Sequence, residues 1–254
     1  MRELERDFSS DTLRARLTIV GRGRLGSALA TAADAAGIAV DGPRRRGPHL
    51  ALDPNAPVLL CVPDGQIGPA AAEIPSGPLV GHCSGATSLD PLAGHEAFSL
   101  HPLMTVTPDG ARFQGAGAAV AGSTPRALRF ARGLAATLGM RPVEIGPLDR
   151  PTYHAAASIA SNFLITLEAA AERLAASVGI ERDLLVPLVR ATVENWARVG
   201  PERALTGPVA RGDEATVTAQ RDAVATAAPD LLDLFDALVA ATRTEAARAK
   251  AVSA

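Results

Sequence analysis

Short apolar runs alternate with helical stretches along the first part of the chain. Leu25–Ala36 is the clearest helical stretch, and a later one opens with the capping pattern Ser123-Thr124-Pro125 and closes at Gly139. Because strands that alternate with helices pair as parallel sheets, this pattern predicts an α/β domain. The predicted strands are Leu17–Val20, Ile38–Pro43, Ala56–Pro63, Pro78–His82, Ala97–Leu100, Gly117–Ala121 and Met140–Ile145.

After Gly146 the pattern changes to long helical stretches rich in alanine and leucine, and no stretch there has the character of a strand. We therefore predict two domains, a mostly parallel sheet with helices over residues 1–150 and an all-helical domain over residues 151–254. The predicted helices of the second domain are Tyr153–Val178, Arg182–Val199 with a kink at Pro187, Asp213–Thr226 and Pro229–Ala247.

Composition narrows the class of protein. The 254 residues are 47% hydrophobic, carry a net charge of −2 and include only 3% aromatics, so binding to nucleic acid is not expected. No apolar run is long enough to span a membrane, and the charged N-terminus is not a signal peptide, which favours a cytoplasmic protein. Cys61 and Cys83 lie in apolar segments and are expected to be buried free thiols.

A glycine-rich turn joins the first predicted strand to the first predicted helix. Gly21, Gly23 and Gly26 form a G-x-G-x-x-G pattern, in which the first glycine permits a tight turn and the second admits a pyrophosphate. The third allows the helix to pack closely on the strand, and the backbone N–H groups of Arg24 and Leu25 face the phosphates. The pattern predicts a dinucleotide site, and a purely structural turn is the alternative.

Three arginines follow the second predicted strand and bear on the choice of dinucleotide. Asp41 stands where an NAD site places its ribose-binding carboxylate, but Arg44, Arg45 and Arg46 follow at once and suit a 2′-phosphate. We therefore expect NADP, with NAD and a solvated arginine turn as open alternatives. Val62, Pro63 and Asp64 end another strand where the nicotinamide ribose would pass, although Asp64 would equally suit a helix cap.

Several motifs together resemble one family. These are the turn at Gly21–Gly26, GHCSG at Gly81–Gly85, SLHPLMT at Ser99–Thr105, YHAAASIASN at Tyr153–Asn162 and LTGPVARGD at Leu205–Asp213. They resemble the proteins with a Rossmann-like N-terminal domain and a C-terminal DUF2520 domain. These in turn are similar to 6-phosphogluconate-dehydrogenase-like reductases such as ketopantoate reductase and pyrroline-5-carboxylate reductase. The resemblance implies an NADP-dependent oxidoreductase that dimerises through its helical domain.

The chain departs from these reductases at the proton donor. Ketopantoate reductase and related enzymes use a helix lysine, whereas Lys250 is the only lysine here and the matching helix offers Tyr153, His154, Ser158 and Asn162. A histidine that titrates near neutrality can donate a proton to a carbonyl, and His82 and His101 fall at predicted strand ends. The predicted catalytic residues are His82, Ser84, His101, His154 and Asn162.

Other residues complete the predicted site. Ser84, Gly85 and Ser158 are expected to bind substrate, and Arg211 to bind its carboxylate from a loop in which Asp213 would otherwise cap a helix. Each histidine has a purely structural alternative, and the polar stripe from His154 to Asn162 would also suit a dimer partner. No spacing of histidine and cysteine predicts a metal site.

The favoured function is therefore reduction of a small 2-keto acid, with ketopantoate as the leading substrate. An imine reductase of the pyrroline-carboxylate type, an F420-linked reductase and a non-catalytic NADP(H) sensor are the alternatives.

Overall fold

The computed structural model describes residues 16–45, 47 and 52–253, and these divide into two compact units. The first unit runs through Ser161 and the second begins at Asn162. The first helix after the sheet therefore belongs to the first unit.

A seven-stranded sheet forms the centre of the first unit. Its strands lie in the order β2-β1-β3-β4-β5-β6-β7, and the first five are mutually parallel, whereas β6 pairs antiparallel with β5 and parallel with β7. This arrangement confirms the predicted mostly parallel, Rossmann-like α/β fold. The strands are β1 Leu17–Val20, β2 Val40–Arg44, β3 Val58–Leu60, β4 Leu79–His82, β5 Glu96–Leu103, β6 Gly117–Gly122 and β7 Arg141–Glu144.

Helices cover both faces of this sheet and bury an apolar core on each. Because successive strand residues point to opposite faces, Ile19 packs on one side with Phe98, while Val20 packs on the other with Leu60 and Ile67. Phe98 and Phe130 meet edge to face with their ring centroids 5.0 Å apart. The helices of the first unit are α1 Arg24–Ala35, α2 Ile67–Ala71, α3 Pro125–Thr137 and α4 Arg150–Ser158.

Helices form the rest of the described chain, as the sequence pattern predicts. The predicted helix Tyr153–Val178 consists of α4, a π-helical segment at Ile159–Phe163 and α5. The helix at Arg182–Val199 has the predicted bounds and continues through Pro187. The helices after α4 are α5 Leu164–Ala176, α6 Arg182–Val199, α7 Pro201–Ala204, α8 Pro208–Arg211, α9 Glu214–Ala227 and α10 Leu232–Ser253.

Ion pairs and apolar contacts hold the second unit together. Arg221 of α9 binds Asp236 of α10 with 2.8 Å contacts, and Arg173 of α5 binds both carboxylate oxygens of Asp230. Leu174 and Phe235 line an apolar cavity of about 300 Å³ between α5, α9 and α10. Within the described residues, no helix combines the length and apolar character that a bilayer crossing requires.

Candidate active site

The order of the strands places a crevice at one edge of the sheet. From β1 the chain continues outward to β2 on one side and to β3 on the other, so the order reverses between β1 and β3. In open parallel sheets, ligands bind at such a reversal, beyond the carboxyl ends of the strands. Gly21 follows β1 and Cys61 follows β3 at this point.

The three glycines of the turn each have a distinct steric environment. Gly21 has a φ of 122°, and a Cβ there would lie 2.1 Å from the backbone oxygen of Cys61. A Cβ at Gly26 would lie 2.0 Å from the Gly21 oxygen. A Cβ at Gly23, in contrast, would meet nothing within 4 Å. The first and third glycines are therefore required by packing, whereas the second leaves its face open to a ligand.

The N-terminus of α1 has no side-chain cap. Gly23 is the N-cap residue in extended conformation, and the N–H groups of Arg24, Leu25 and Gly26 open the helix. Four N–H groups at the start of a helix lack partners within it, and the helix dipole adds positive potential there. Because no carboxylate or hydroxyl occupies this end, it is suited to bind an anionic group such as a phosphate.

Arg44, the last residue of β2, lies beside the same turn. The Gly21 N–H donates to the Arg44 backbone oxygen at 2.9 Å, which fixes the end of β2 next to the glycines. The Arg44 guanidinium pairs with Asp41 at 2.6 Å, so these two predicted determinants of cofactor choice bind each other. Arg45 is exposed, and Arg46 lies outside the described residues.

Two thiols meet beyond β3 and β4. The sulfur atoms of Cys61 and Cys83 are 3.6 Å apart, and both cysteines are free. The contact with Cys61, together with burial, raises the pKa of the Cys83 thiol, which therefore remains protonated at neutral pH. Cys83 is buried as the sequence predicts, whereas Cys61 is only half-buried. Within the described residues, no group of three His, Cys, Asp or Glu side chains is placed to hold a metal.

Asp64 ties the end of β3 to the loop after β4. Its Oδ2 accepts a hydrogen bond from the Ser84 hydroxyl at 2.8 Å, and no side chain caps the short turn that Asp64 begins. Val62 is half-buried, while Pro63 and Asp64 are exposed along this edge.

His82 is a buried residue that holds a loop. It is 0% exposed, its Nδ1 accepts the Ser84 N–H at 3.1 Å, and its Nε2 donates to the Ser88 backbone oxygen at 2.9 Å. Burial lowers the pKa of His82 and keeps the ring neutral. Because both nitrogens are occupied by backbone, this arrangement leaves the predicted catalytic His82 without a nitrogen for a ligand.

The Ser84 hydroxyl is likewise occupied. Besides its bond to Asp64, it accepts hydrogen bonds from the N–H of Ala86 at 3.2 Å and from the N–H of Thr87 at 2.9 Å. It also contacts the Thr87 hydroxyl. A hydroxyl with four partners has its hydrogen-bonding capacity filled in this arrangement. These contacts hold the loop together, and a role of Ser84 in catalysis or substrate binding stays a prediction.

His101 and Tyr153 form a hydrogen-bonded pair. His101 Nδ1 lies 2.7 Å from the Tyr153 hydroxyl, and the two rings meet edge to face with centroids 5.6 Å apart. Burial lowers the pKa of His101 to about 4 and raises the pKa of Tyr153 to about 12. Both side chains are therefore neutral at physiological pH. Gly85 packs under the imidazole, where a Cβ would lie 2.8 Å from its Cε1 atom.

Arg150 precedes Tyr153 by one turn of α4, and its charge acts on both residues of this pair. It is 2% exposed, and its guanidinium donates to the Ser84 backbone oxygen at 3.2 Å and to the Ser99 hydroxyl. Burial lowers the pKa of Arg150, but an arginine keeps its charge at any physiological pH. The site thus contains a buried cation that forms no ion pair within the described part of the chain.

The predicted polar stripe on the first long helix is divided. His154 is exposed, with its ring centroid 6.4 Å from that of His101, and Ser158 ends α4 half-buried. Asn162 falls in the π-helical segment and belongs to the second unit. His154 and Ser158 share one face of α4, whereas Asn162 lies in the π-helical segment, so the three residues do not follow a single α-helical spacing.

The predicted substrate loop of the second unit contains a helix cap. Asp213 accepts the Thr216 N–H at 3.1 Å and the Thr216 hydroxyl at 2.7 Å, and these bonds lower its pKa. Asp213 is therefore the N-cap of α9, which is one of the two roles that the sequence left open for it. Arg211 is exposed at the end of α8.

Sequence reasoning missed Arg150 and did not select Tyr153. Tyr153 is the only tyrosine of the chain and precedes a histidine, which is a signal that could have been used. Arg150 opens α4, where a cation opposes the helix dipole. Because an arginine at the start of a helix does not stabilise that helix, its presence there is a weaker signal of contacts with other parts of the chain.

Comparison with known proteins places this fold among oxidoreductase structures. A Bacteroides fragilis protein described as an NADP oxidoreductase superposes with a TM-score of 0.79 at 18% identity, covering 92% of this chain and 100% of its own. A Thermotoga maritima protein gives 0.78 at 24% identity, covering 91% and 99%. A reductive aminase from Aspergillus terreus, solved with NADPH and ethyl-5-oxohexanoate, gives 0.63 at 18% identity, covering 91% and 95%.

Sequence comparison identifies the family. No protein of curated function matches this chain in sequence. The domain of unknown function DUF2520 matches residues 116–242, from the end of the sheet through most of the helices. This match spans half of the chain, and the chain therefore belongs to the DUF2520 family.

Proposed function

We propose that this protein is an NADPH-dependent reductase of a small carbonyl compound, with the 2-keto acid ketopantoate as the leading candidate. The observation that carries the proposal is the neutral His101–Tyr153 pair, which shares the carboxyl edge of the sheet with the uncapped glycine turn. Such a reduction needs a bound hydride donor and a proton donor at one site.

The residues of the turn fit a dinucleotide. Gly23 would admit the pyrophosphate because its face is open, and the N–H groups of Arg24, Leu25 and Gly26 would bind the phosphate oxygens. Arg45, exposed beside the turn, would bind a 2′-phosphate. Bound NADPH supplies the hydride to the substrate carbon.

Tyr153 and His101 supply the proton. As the carbonyl carbon is reduced, the oxygen takes the hydroxyl proton of Tyr153, and the Tyr153 oxygen takes the Nδ1 proton of His101. The Nε2 nitrogen of His101 then accepts a proton from water, so the imidazole ends as its other neutral tautomer. Among the described residues this Nε2 has no hydrogen-bond partner, which supports its exchange with solvent. The pair replaces the lysine that related reductases use.

His82 and Ser84 have a structural role in this proposal. His82 holds the loop through two backbone hydrogen bonds, and Ser84 holds it through its hydroxyl. The loop in turn places Gly85 under the His101 ring. Both residues therefore act on the reaction through the position of His101.

Imine reduction is a second candidate because a fold relative is a reductive aminase solved with NADPH. An imine that is protonated before reduction makes a smaller demand on a proton donor, which suits a chain without a catalytic lysine. An F420-linked reaction and a non-catalytic NADP(H) sensor are further outcomes that the experiment below distinguishes.

The test is NADPH oxidation, followed by near-ultraviolet absorbance, with ketopantoate, a cyclic imine and the oxidised deazaflavin F420 as separate hydride acceptors. We expect turnover of ketopantoate with NADPH and much less with NADH. Turnover of the imine alone would replace the substrate class. Tight NADPH binding without turnover in any assay would refute the enzyme proposal and favour the sensor.

We also propose that residues 151–254 form a helical domain through which two copies associate. Ile165, Leu184, Leu188 and Trp196 of α5 and α6 are each more than half exposed, at 70%, 66%, 65% and 58%. Apolar surface of this extent is typical of an interface. Sedimentation equilibrium should give a dimer that Leu188→Asp dissociates. A monomeric wild type would contradict this assignment.

The free thiols Cys61 and Cys83 fit a reducing compartment such as the cytoplasm.

A further inference from the structure

Arg150 connects the three segments that build the proton-donating pair. Its guanidinium donates to Ser99, which precedes His101 by two residues on β5, so both side chains lie on the same face of the sheet. It also donates to the backbone of Ser84, next to the glycine that supports the His101 ring. Arg150 itself stands one helical turn before Tyr153 on α4. These bonds fix the first turn of α4 against the sheet edge and thereby set the distance between Tyr153 and His101.

Burying a cation without a carboxylate is costly for folding. A charged group away from water is destabilising unless it is paired, and among the described residues Arg150 has only the Ser84 backbone oxygen and the Ser99 hydroxyl as acceptors. A methionine or leucine at this position would fill the same volume without that cost. Packing therefore accounts for a side chain of this volume at position 150, but it does not account for the positive charge.

The surroundings of the pair determine what that charge can do. The charged and titratable groups that act on His101 are His154, Arg150, Asp64 and His82. His82 is held neutral by burial, and Asp64 is exposed and bound to Ser84. Arg150 is thus the group among these four that is both permanently charged and buried, and water screens it least.

Carbonyl and imine reductions place opposite demands on such a cation. A carbonyl oxygen gains negative charge as hydride arrives, and a nearby buried cation stabilises that charge. A protonated imine carries positive charge before hydride arrives, and the same cation opposes its binding.

We propose that Arg150 is a positioning residue that holds Tyr153 against His101 and selects substrates that become negatively charged during reduction over cationic imines. This inference rests on the proposed reductase function and specifies its substrate class. Arg150 does not contact the substrate, because it is 2% exposed, and it acts through Tyr153 and the local potential.

The first test compares three variants by their kcat/KM for a keto acid and for a cyclic imine. Arg150→Met removes the charge at similar bulk, Arg150→Lys retains it, and Ser99→Ala removes only the anchoring hydroxyl. We expect Arg150→Met to lower the keto acid to imine ratio at least about tenfold, by lowering kcat for the keto acid and by lowering KM for the imine, and Arg150→Lys to restore most of it. Arg126→Met, at an exposed arginine paired with Glu96, is the matched control and should leave the ratio unchanged. An unchanged ratio in both Arg150→Met and Ser99→Ala would overturn the selectivity role.

A second measurement does not depend on turnover. Tyr153 is the only tyrosine, so tyrosine labelled with ¹³C at Cζ gives one NMR signal, and the His101 ring can be titrated in the same samples. We expect Arg150→Met to shift the tyrosine signal and to raise the pKa of His101, because a neighbouring positive charge is lost. Arg150→Lys should restore the His101 titration. If neither signal moves in Arg150→Met, the positioning role is overturned. If the wild type reduces neither substrate, the proposed function fails separately, and the tyrosine signal alone decides the positioning role.

Discussion

The hydroxyl of Tyr153 lies 2.7 Å from Nδ1 of His101 and joins the first turns of α4 to the far end of β5. Neither residue carries a charge at neutral pH, because burial moves the pKa of each away from the physiological range. A neutral phenol in contact with a neutral imidazole can release a proton and recover it without creating a buried charge. This relationship gives the first prediction.

Replacing Tyr153 by Phe should remove the proton donor while retaining the ring. We expect kcat for the keto acid to fall about 100-fold or more, with NADPH affinity unchanged, because general acid catalysis contributes about that much. Steady-state kinetics and NADPH fluorescence titration measure the two effects. Thr152→Val, at the exposed neighbouring residue, is the matched control. Full activity in Tyr153→Phe would rule out the proposed donor.

The glycine turn allows folding and binding to be separated. Gly26→Ala places a Cβ 2.0 Å from the Gly21 oxygen, so we expect it to destabilise the fold by about 3 kcal/mol. Gly23→Ala meets nothing within 4 Å, so its stability should change by less than about 0.5 kcal/mol. Its NADPH affinity should nevertheless fall at least about tenfold, because the methyl group occupies the approach of the pyrophosphate. Thermal denaturation measures the stability of each variant, and ligand titration measures its NADPH affinity. If Gly23→Ala lost as much stability as Gly26→Ala, or kept its NADPH affinity, the contrast would be contradicted.

Arg45 should determine the preference between the two nicotinamide cofactors. We expect Arg45→Ala to lower the ratio of NADPH to NADH affinity by about tenfold, the value of one charge-assisted hydrogen bond to phosphate. Arg141→Ala provides the control, because Arg141 is exposed at the start of β7, on the opposite edge of the sheet from β2. An equal loss of affinity for both cofactors would show that Arg45 does not read the 2′-phosphate.

The stability of the protein should decrease in mild acid. His101 has a pKa of about 4 in the folded chain and an ordinary value of 6.5, so between these values the unfolded chain binds more protons. The stabilisation is complete above about pH 6.5 and is lost as the pH falls through 4, with a limit of about 3 kcal/mol. The free energy of unfolding, measured with urea at several pH values across this range, should change less steeply with pH in His101→Gln than in the wild type. The lowered pKa of His82 contributes in the same direction and remains in the variant. An identical slope in both proteins would refute the lowered pKa of His101.

The strands and helices were predictable because their signals are local. The alternation of apolar runs with helical stretches identified all seven strands, and Gly21 and Gly26 have the tight packing that their spacing indicates. The observed bounds differ from the predicted ones where strand pairing decides them. Val58–Leu60 is shorter than the predicted apolar run, and Glu96–Leu103 is longer because its end pairs with Gly117–Gly122.

The site was harder to predict because its partners are distant in sequence. His82 and His101 have the same local context at a strand end, but only the structure shows that backbone groups occupy both nitrogens of His82. The hydroxyl of Ser84 is occupied in the same way. Arg150 gave almost no signal, since its role depends on Ser84 and Ser99, to which the chain returns only after the whole sheet is complete.

The bonds that build the pair join residues 51, 52 and 66 positions apart in the chain. A chain that ended before Arg150 would therefore contain every strand and the complete glycine turn, yet neither the phenol nor the cation. In the proposed function, the sequence thus divides into a stretch that would hold the cofactor and a nine-residue helix, Arg150–Ser158, that would contribute the proton donor. We therefore expect substitutions within α4 to change which substrate is reduced while the affinity for the nucleotide stays intact.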